Sequence, residues 1–376
     1  MNFSSYENER WCSPSKNKNQ TTRMLASENI TIHSPCEFST IFDSSNASCK
    51  KNAKPHTDPP NIKIVDAFIF NNELDLLYYR LNLLHNIVDY FIIVEATRTF
   101  TGKNKPLYYE LHKNEERFAF FSNKIIHIID DGLEKNPVVS QKDLLSRTNK
   151  YWQNEYKQRN SIDIGIKQLS GEPNGFVSKG GFSQKIKDND YIIISDVDEI
   201  PNPVFLQNLK NSSNKDQCVS YYSKPHPSAN TMFSQKTSSP EIMNLVQDLY
   251  YYNITCKVME YWDFAKVLTY QCYKTKMESS PQKVRTIHQT DQGNQYIVEK
   301  GGWHLCYFET AENIKKKLES FSHQEFNNYI FSKIEYIRFC IENKKPLYNR
   351  SFDKIVYIPV KENTNLPPLH DTFFDF

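Results

Sequence analysis

The sequence predicts an α/β protein built on a mostly parallel central sheet that is flanked by helices. Two observations lead to this prediction. Apolar runs typical of buried strands alternate with segments of helical periodicity from residue 62 onward. The connections between them are short, and such strand–helix–strand units form parallel sheets, because parallel strands need a crossover that is usually a helix.

The ordered domain is expected to occupy residues 61–345. Residues 1–60 are rich in Ser, Asn, Lys, Thr and Pro and hold few apolar side chains. Such a segment cannot bury enough apolar surface to offset its conformational entropy, which predicts a disordered low-complexity tail. Residues 346–376 are rich in Pro and Asn, and we expect them to pack on the domain as a C-terminal extension.

The alternation of strands and helices is most regular in the first half of the domain. Residues 62–70 form a continuous apolar run that predicts a buried strand, and leucines follow at helical spacing in residues 74–84. The other predicted elements are strands at residues 87–94, 124–129, 191–195, 250–258 and 267–273, and helices at 144–169, 203–210, 312–321 and 325–342.

A pair of carboxylates follows the strand predicted at residues 191–195, in the sequence Asp196-Val197-Asp198. In open α/β sheets, ligands bind at the carboxyl ends of the strands. Two carboxylates at i and i+2 across a turn can face one cation, and hard ions such as Mn²⁺ or Mg²⁺ complete their shells with phosphate oxygens and water. The motif therefore predicts a metal site that would bind a diphosphate.

Two other interpretations of acidic residues at strand ends stay open. The aspartates after residue 195 could instead cap the next helix. Asp130 and Asp131 follow another predicted strand and form a rival metal site, although side chains at i and i+1 point apart more readily.

Composition and cysteine spacing exclude several classes of protein. The net charge of +2 argues against a nucleic-acid partner. None of the 8 cysteines forms a C-x-x-C motif, so free thiols are expected rather than a zinc site. No apolar run approaches the roughly 20 residues of a membrane span, and no signal peptide is recognisable at the start. We therefore expect a soluble, cytoplasmic protein.

An ordered series of short motifs resembles glycosyltransferase family 17 across residues 62–345. The motifs are DAF at 66–68, NELDLL at 72–77, VDYF at 88–91, TFTG at 99–102, DVDEIP at 196–201 and GWH at 302–304. Their common order and compatible spacing make the series more specific than any one motif.

The resemblance implies a GT-A type fold, a UDP-N-acetylglucosamine donor and inversion at the anomeric carbon. The family includes the eukaryotic enzyme that adds the bisecting N-acetylglucosamine to N-glycans in β-1,4 linkage, so the acceptor is expected to be a glycan or glycoconjugate. The tail and domain look more like microbial or viral members. A metal-dependent nucleotidyltransferase or phosphohydrolase and a non-catalytic carbohydrate-binding module are the competing hypotheses; the first usually needs a third clustered carboxylate or a Gly-rich phosphate loop.

Inverting transfer needs a general base for the acceptor hydroxyl. Glu325 opens a predicted helix and is the first candidate, although a first-turn glutamate commonly compensates the helix dipole. Asp263, beside Trp262, is the second candidate. His304 follows two glycines, which permit close backbone approach, and is a candidate ligand of the metal or diphosphate, with His323 as the weaker alternative.

Residues near the ends of the first two strands are candidates for binding the nucleotide. Asp66, Phe68 and Glu95 follow from the resemblance and the topology, and the two carboxylates could accept hydrogen bonds from uracil or ribose. Val197 lies inside the metal motif, and Trp303 could stack on a sugar, although burial in the core is the stronger explanation for a tryptophan.

Basic and amide side chains elsewhere are candidates for the diphosphate. Arg159 and Asn160 lie on the helix before the metal strand, while Lys283 and Arg285 lie in a polar segment that could close as a lid. Arg80 is interpreted as structural, paired with an acid of its own helix or of a neighbouring element.

Overall fold

A computed structural model describes residues 62–171, 185–211, 223–225, 242–287, 295–348, 350 and 353–374. The tail predicted at residues 1–60 lies outside the described residues.

Four parallel strands form one half of a large sheet, in the order β3–β2–β1–β4. They are β1 (Ile64–Phe70), β2 (Tyr90–Ala96), β3 (Ile125–Asp130) and β4 (Tyr191–Asp196), and helix α1 (Leu74–Leu84) joins the first two. These strands are nearly continuous apolar runs because both faces of a sheet covered by helices are buried. The prediction of strands at the four corresponding segments is confirmed.

The other half of the sheet makes it mixed rather than mostly parallel, so that part of the fold prediction is wrong. The remaining strands are β5 (Glu199–Pro201), β6 (Ser223–Pro225), β7 (Ile242–Tyr251), β8 (Cys256–Trp262), β9 (Lys266–Thr269), β10 (Gln295–Cys306) and β11 (Ile355–Tyr357). Strand β9 pairs antiparallel with β4 and β7, and β8 pairs antiparallel with β7 and β11. Strand β10 is parallel to β7 but antiparallel to β5 and β6.

The strand predicted at residues 250–258 is in fact a hairpin. Strand β7 ends at Tyr251, Tyr252 adopts a positive φ of 67°, and the Asn253 side chain accepts the N–H of Thr255 at 2.9 Å. This short side-chain-to-backbone turn reverses the chain, as Asn commonly does. Because antiparallel strands need only such a turn, the chain returns here without a crossover helix.

Several helices begin or end differently from their predictions. The helix predicted at residues 144–169 begins at Lys150, with Asn149 as its N-cap, and divides at Ser161. The helix predicted at 325–342 is helical only from Ile334. The helices after α1 are α2 (Tyr108–His112), α3 (Glu116–Ala119), α4 (Lys150–Asn160), α5 (Ile162–Ser170), α6 (Pro203–Asn211), α7 (Tyr270–Thr275), α8 (Pro281–Thr286), α9 (Ala311–Ser320), α10 (Ile334–Glu342) and α11 (His370–Phe373).

The apolar core lies on both faces of the sheet. Alternate residues of β4 belong to different clusters: Ile193 packs with Leu77 and Phe205, whereas Ile194 packs with Ile92 and Ile166. This division follows from the two-residue period of a strand. Within the described ranges, no helix combines the length and the apolar character that a membrane crossing requires.

Candidate active site

A cavity of about 500 Å³ opens at the carboxyl ends of β1, β2 and β4 and beside the end of β10. Its wall includes Phe70 at the end of β1, Arg98 after β2, Asp196 and Asp198 after β4, and Cys306 at the end of β10. The cavity therefore lies where an open α/β sheet binds its ligands.

A buried arginine, Arg80, fixes the backbone of the acidic turn. Its Nε and Nη2 donate to the two oxygens of Asp66 at 2.8 and 2.6 Å, which leaves Nη1 directed at the turn. Nη1 donates to the carbonyl oxygens of Asp196 and Glu199 at 2.9 Å and of Val197 at 3.2 Å. The structural interpretation of Arg80 is confirmed, with its acidic partner on β1 rather than on its own helix.

Asp196 lies between two guanidinium groups. Arg159 approaches one carboxylate oxygen at 3.1 Å and Arg285 the other at 3.0 Å. Burial alone would raise the pKa of Asp196, but Arg285 and Arg159 outweigh it and hold that pKa below its usual value. Arg285 also binds both oxygens of Glu199 at 2.6 Å, and Arg159 binds Glu155 at 2.9 Å. The Asp196 carboxylate is therefore ionised and already neutralised.

Asp198 has different partners from those of Asp196. The Lys317 ammonium lies 3.0 Å from Oδ2, and His304 Nε2 lies 3.5 Å from Oδ1. Burial opposes ionisation, but Lys317 and His304 together hold the pKa of Asp198 below its usual value. Burial would lower the pKa of His304, whereas Asp198 raises it to about 10. The backbone carbonyl of Asp198 accepts the N–H of Leu305 at 2.9 Å, which joins the turn to β10.

Three side chains at the acidic turn and the end of β10 could hold a metal ion. Ligand atoms of Asp198, His304 and Cys306 all lie within 4.8 Å of one another. His304 Nδ1 is buried and has no hydrogen-bond partner among the described residues, which leaves a ring nitrogen to be satisfied. Asp196 does not belong to this cluster, because its oxygens face the two arginines.

The structure brings some of the predicted site residues to the cavity and leaves others away from it. Those that line the cavity are Arg159, Asp196, Val197, Asp198, Arg285 and His304. Those that do not are Asp66, Phe68, Glu95, Asn160, Asp263, Lys283, Trp303 and Glu325.

Asp66 and Phe68 cannot contact a nucleotide in this structure, which corrects their assignment. Both are fully buried; Asp66 binds Arg80 through both oxygens, and the Phe68 ring packs 4.3 Å from the same guanidinium. They lie at i and i+2 of β1, so they share one face, and the strand continues to Phe70 before it reaches the ligand-binding edge.

Glu95 is also fully buried and holds a local scaffold together. Its carboxylate accepts the N–H of Tyr109 at 3.1 Å and lies 3.2 Å from His127 Nε2 and 3.7 Å from Lys105 Nζ. These contacts anchor the start of α2 to the sheet. The prediction that Glu95 binds the nucleoside is therefore not supported by its position.

Three further candidates serve structural contacts. The Asn160 side chain accepts the N–H of Gln282 at 3.0 Å and thereby joins α4 to α8. Lys283 pairs with the exposed Glu278 at 2.7 Å, on the side of α8 away from the cavity wall. Trp303 is buried, and its indole N–H donates to a backbone carbonyl of the C-terminal segment at 2.8 Å.

The two predicted general bases lie next to the cavity rather than in its wall. Glu325 binds His323 Nδ1 at 2.5 Å, and His323 itself lines the cavity. Glu325 belongs to a 3₁₀ turn and not to a long helix. Asp263 is partly exposed beside Trp262, which is also a lining residue.

The rival acidic pair does not form a second site at the cavity. Asp130 accepts the backbone N–H of Gly132 and the Ser161 hydroxyl, both at 2.8 Å, and Asp131 is exposed. Neither residue lines the cavity. Asp130 therefore ties the end of β3 to the junction of α4 and α5.

The sequence profile of glycosyltransferase family 17 matches residues 31–222, more than half of the 376 residues. The chain belongs to glycosyltransferase family 17. It is also similar to beta-1,4-mannosyl-glycoprotein 4-beta-N-acetylglucosaminyltransferase of Rattus norvegicus and of Homo sapiens, each 24% identical over 170 residues. Each alignment covers 45% of this chain and 27% of the relative, so the chain matches about a quarter of each relative's length.

The family 17 match contains β1 to β4 and the acidic turn but ends before several residues of the cavity. His304, Cys306 and Lys317 lie beyond residue 222 and come from β10 and α9. Sequence reasoning missed Lys317, although a signal was available. Lys317 is three residues after the buried Ile314, so both side chains share the inward-facing side of α9.

Glycine at position 302 is required by the close approach of β10 to β5. Gly302 has a φ of +146°, and a Cβ atom there would lie 2.0 Å from the carbonyl oxygen of Ile200. We expect Gly302→Ala to lower the free energy of unfolding by at least about 1–3 kcal/mol, because it adds a steric clash to a backbone conformation that alanine rarely adopts. Urea unfolding monitored by circular dichroism measures the change.

Gly132→Ala is the matched control for Gly302→Ala. An added Cβ at Gly132 would meet only a side-chain oxygen of Asp130, at 3.3 Å, and its φ lies outside the left-handed region. Equal losses of stability in the two variants would contradict the packing argument at Gly302.

Proposed function

We propose that the chain is an inverting glycosyltransferase with a GT-A type fold that transfers N-acetylglucosamine from UDP-N-acetylglucosamine. The acceptor is a hydroxyl of a glycan or glycoconjugate, and the new bond is a β-1,4 linkage. Family membership supports sugar transfer. The single observation that carries the site assignment is the Asp196–Asp198 turn, which opens onto a cavity lined by cationic side chains.

The cations in the wall fit the diphosphate of a sugar nucleotide. Arg159 and Arg285 each bring a guanidinium to the cavity, and Lys317 brings an ammonium. Guanidinium groups match phosphate oxygens in a bidentate geometry. In the absence of a donor, these charges are balanced by Asp196, Glu155, Glu199 and Asp198, so they are held in position without repelling one another.

Asp198 and His304 are proposed to hold a divalent metal, Mn²⁺ or Mg²⁺, beside the diphosphate. When bound, the metal supplies Lewis-acid stabilisation of the charge that develops on the leaving diphosphate. Arg285 and Arg159 orient Asp196, and Arg80 fixes the carbonyls of the turn beneath it. The protein thereby presents the carboxylate of Asp198 on a rigid support.

Aromatic side chains also line the cavity and offer faces for the acceptor. Trp152, Phe326 and Tyr348 all line it, and the Phe326 and Tyr348 rings are stacked with centroids 4.1 Å apart. Glu325 and Asp263 remain the candidate bases for the acceptor hydroxyl, next to this wall. Such a base must approach from the face of the sugar opposite the diphosphate.

Ligand-dependent thermal stability tests this function. UDP, UDP-N-acetylglucosamine, UDP-glucose and GDP-mannose are compared with and without Mn²⁺. A ligand that binds only the folded state adds about 2.7 kcal/mol of stability at a hundredfold excess over its Kd. We expect the uridine nucleotides to raise the melting temperature in a Mn²⁺-dependent way. In a separate assay, we expect UDP to be released from UDP-N-acetylglucosamine when a glycan acceptor is supplied.

The competing hypotheses give different results in the same experiment. A carbohydrate-binding module would be stabilised by glycans alone, and a nucleotidyltransferase would respond to nucleoside triphosphates. No shift with any sugar nucleotide in a folded sample would overturn the proposed donor site.

A further inference from the structure

The end of β10 presents two possible metal ligands on one face. His304 and Cys306 lie at i and i+2 of the strand, and residues at this spacing point to the same side of a sheet. Leu305, between them, is fully buried in the core, and its N–H donates to the carbonyl of Asp198 at 2.9 Å. The backbone therefore holds the imidazole and the thiol on one face of β10, next to the acidic turn.

The side-chain atoms are close to the spacing that one metal ion needs. Ligand atoms of Asp198, His304 and Cys306 lie within 4.8 Å of one another. Ligands bound at about 2.0–2.3 Å in a tetrahedral arrangement lie roughly 3.5 Å apart. Small side-chain rotations are therefore sufficient to close the cluster around an ion.

A second observation points to a ligand at the same place. His304 is 93% buried, since its exposure is 7%, and its Nδ1 has no hydrogen-bond partner in the described ranges. A buried nitrogen without a partner is destabilising and calls for an explanation such as a bound ligand. Nε2 already lies 3.5 Å from Asp198 Oδ1, so Nδ1 is the ring nitrogen that a bound ion would satisfy.

We propose that Cys306 is a third protein ligand of this site, so that the site also binds borderline or thiophilic divalent cations alongside Mn²⁺ and Mg²⁺. The inference rests on the proposed function, because it deepens the metal site assigned there to Asp198 and His304. A thiolate selects ions such as Zn²⁺, Co²⁺ or Cd²⁺, whereas oxygen ligands alone suit Mg²⁺ and Mn²⁺. On binding, the Cys306 thiol loses its proton to solvent and the sulfur forms the bond to the metal.

Cysteine spacing in the sequence does not argue against such a site. The ligands come from two separate segments, β10 and the turn after β4, so no C-x-x-C motif is needed. Lys317 lies 3.0 Å from Asp198 and is the cation that a divalent ion would compete with. One carboxylate, one imidazole and one thiolate leave a coordination position open for a donor oxygen, as catalytic sites require.

Metal titration of the full chain, monitored by absorption, tests the inference without reference to catalysis. Cd²⁺ is added in steps, and the sulfur-to-metal charge-transfer band is recorded in the ultraviolet. We expect a band that saturates at one equivalent and is lost in both Cys306→Ser and Asp198→Asn. Cys306→Ser should weaken Cd²⁺ binding by more than about tenfold, the size that even a supporting contact contributes at metal sites.

Cys340→Ser is the matched control, because Cys340 is a free, buried cysteine that does not belong to the group of Asp198, His304 and Cys306. It should retain the band. Circular dichroism of every variant verifies folding, and Cys306→Ala replaces Cys306→Ser if the serine variant does not fold.

The outcomes separate this inference from the proposed function. A band that persists in Cys306→Ser, or in Asp198→Asn, comes from other cysteines and overturns the inference. Metal binding that depends on Asp198 but gives no sulfur band also overturns it, while the proposed metal site stands. No metal binding at all overturns both.

Discussion

Asp198→Asn is expected to lower the rate of sugar transfer by about a thousandfold, which corresponds to about 4 kcal/mol of transition-state stabilisation. Asp198 supplies the carboxylate of the cluster with His304 and Cys306. An amide of the same shape keeps the packing but removes the negative charge that holds the cation. Initial rates of UDP release from UDP-N-acetylglucosamine, with a glycan acceptor and saturating Mn²⁺, measure the effect.

Asp131→Asn is the matched control for Asp198→Asn. Asp131 is the exposed member of the rival acidic pair and does not line the cavity. The Asp131→Asn variant should transfer sugar at a rate within about twofold of the wild-type rate, because a substitution at an exposed surface position usually changes little. A wild-type rate in a folded Asp198→Asn variant would contradict the assignment of Asp198.

The two aspartates of the motif have separate roles in the structure, although the sequence presents them as an equivalent pair. Asp196 is enclosed by Arg159 and Arg285, whereas Asp198 faces His304 and Lys317. A spacing of i and i+2 shows that two carboxylates share a turn. Which cations each of them meets depends on helices and strands far away in the sequence.

The parallel half of the sheet could be predicted because its signal is local. Strands β1, β2 and β4 are apolar runs buried on both faces, and β3 is a mostly apolar run at the edge of the sheet that leaves Ile129 exposed; each is recognisable on its own. The direction of β7 to β9 depends on pairings with distant strands, and their connections are short turns that resemble interruptions of one strand. The mixed character of the sheet therefore had no comparable local signal.

The positions of Asp66 and Phe68 along β1 explain why these two predicted nucleotide-binding residues do not reach the cavity. Asp66 and Phe68 belong to a motif of the family, but they lie within β1 instead of at its end. A polar residue inside a buried strand is expected to be satisfied by a partner in the core. Here the partner is Arg80, whose position on α1 was correctly interpreted as structural.

Arg80→Met is expected to lower the free energy of unfolding by about 3–5 kcal/mol, because it leaves Asp66 as an uncompensated buried charge. Both side chains have no exposed surface. The variant also removes the donor shared by the carbonyls of Asp196 and Glu199, so the acidic turn loses its support. Equilibrium unfolding in urea, monitored by circular dichroism, measures the loss.

Arg117→Met is the matched control, since Arg117 also pairs with an aspartate, Asp75 on α1, but both partners are partly exposed. An exposed ion pair contributes at most about 1 kcal/mol to the free energy of unfolding, so Arg117→Met should change that free energy little. The double variant Arg80→Met/Asp66→Leu should lose less free energy of unfolding than the two single variants lose together, because it leaves no buried charge. It should still be less stable than the wild type, since the carbonyls of the turn remain without their donor. Full recovery would show that Arg80 serves Asp66 alone and does not support the turn.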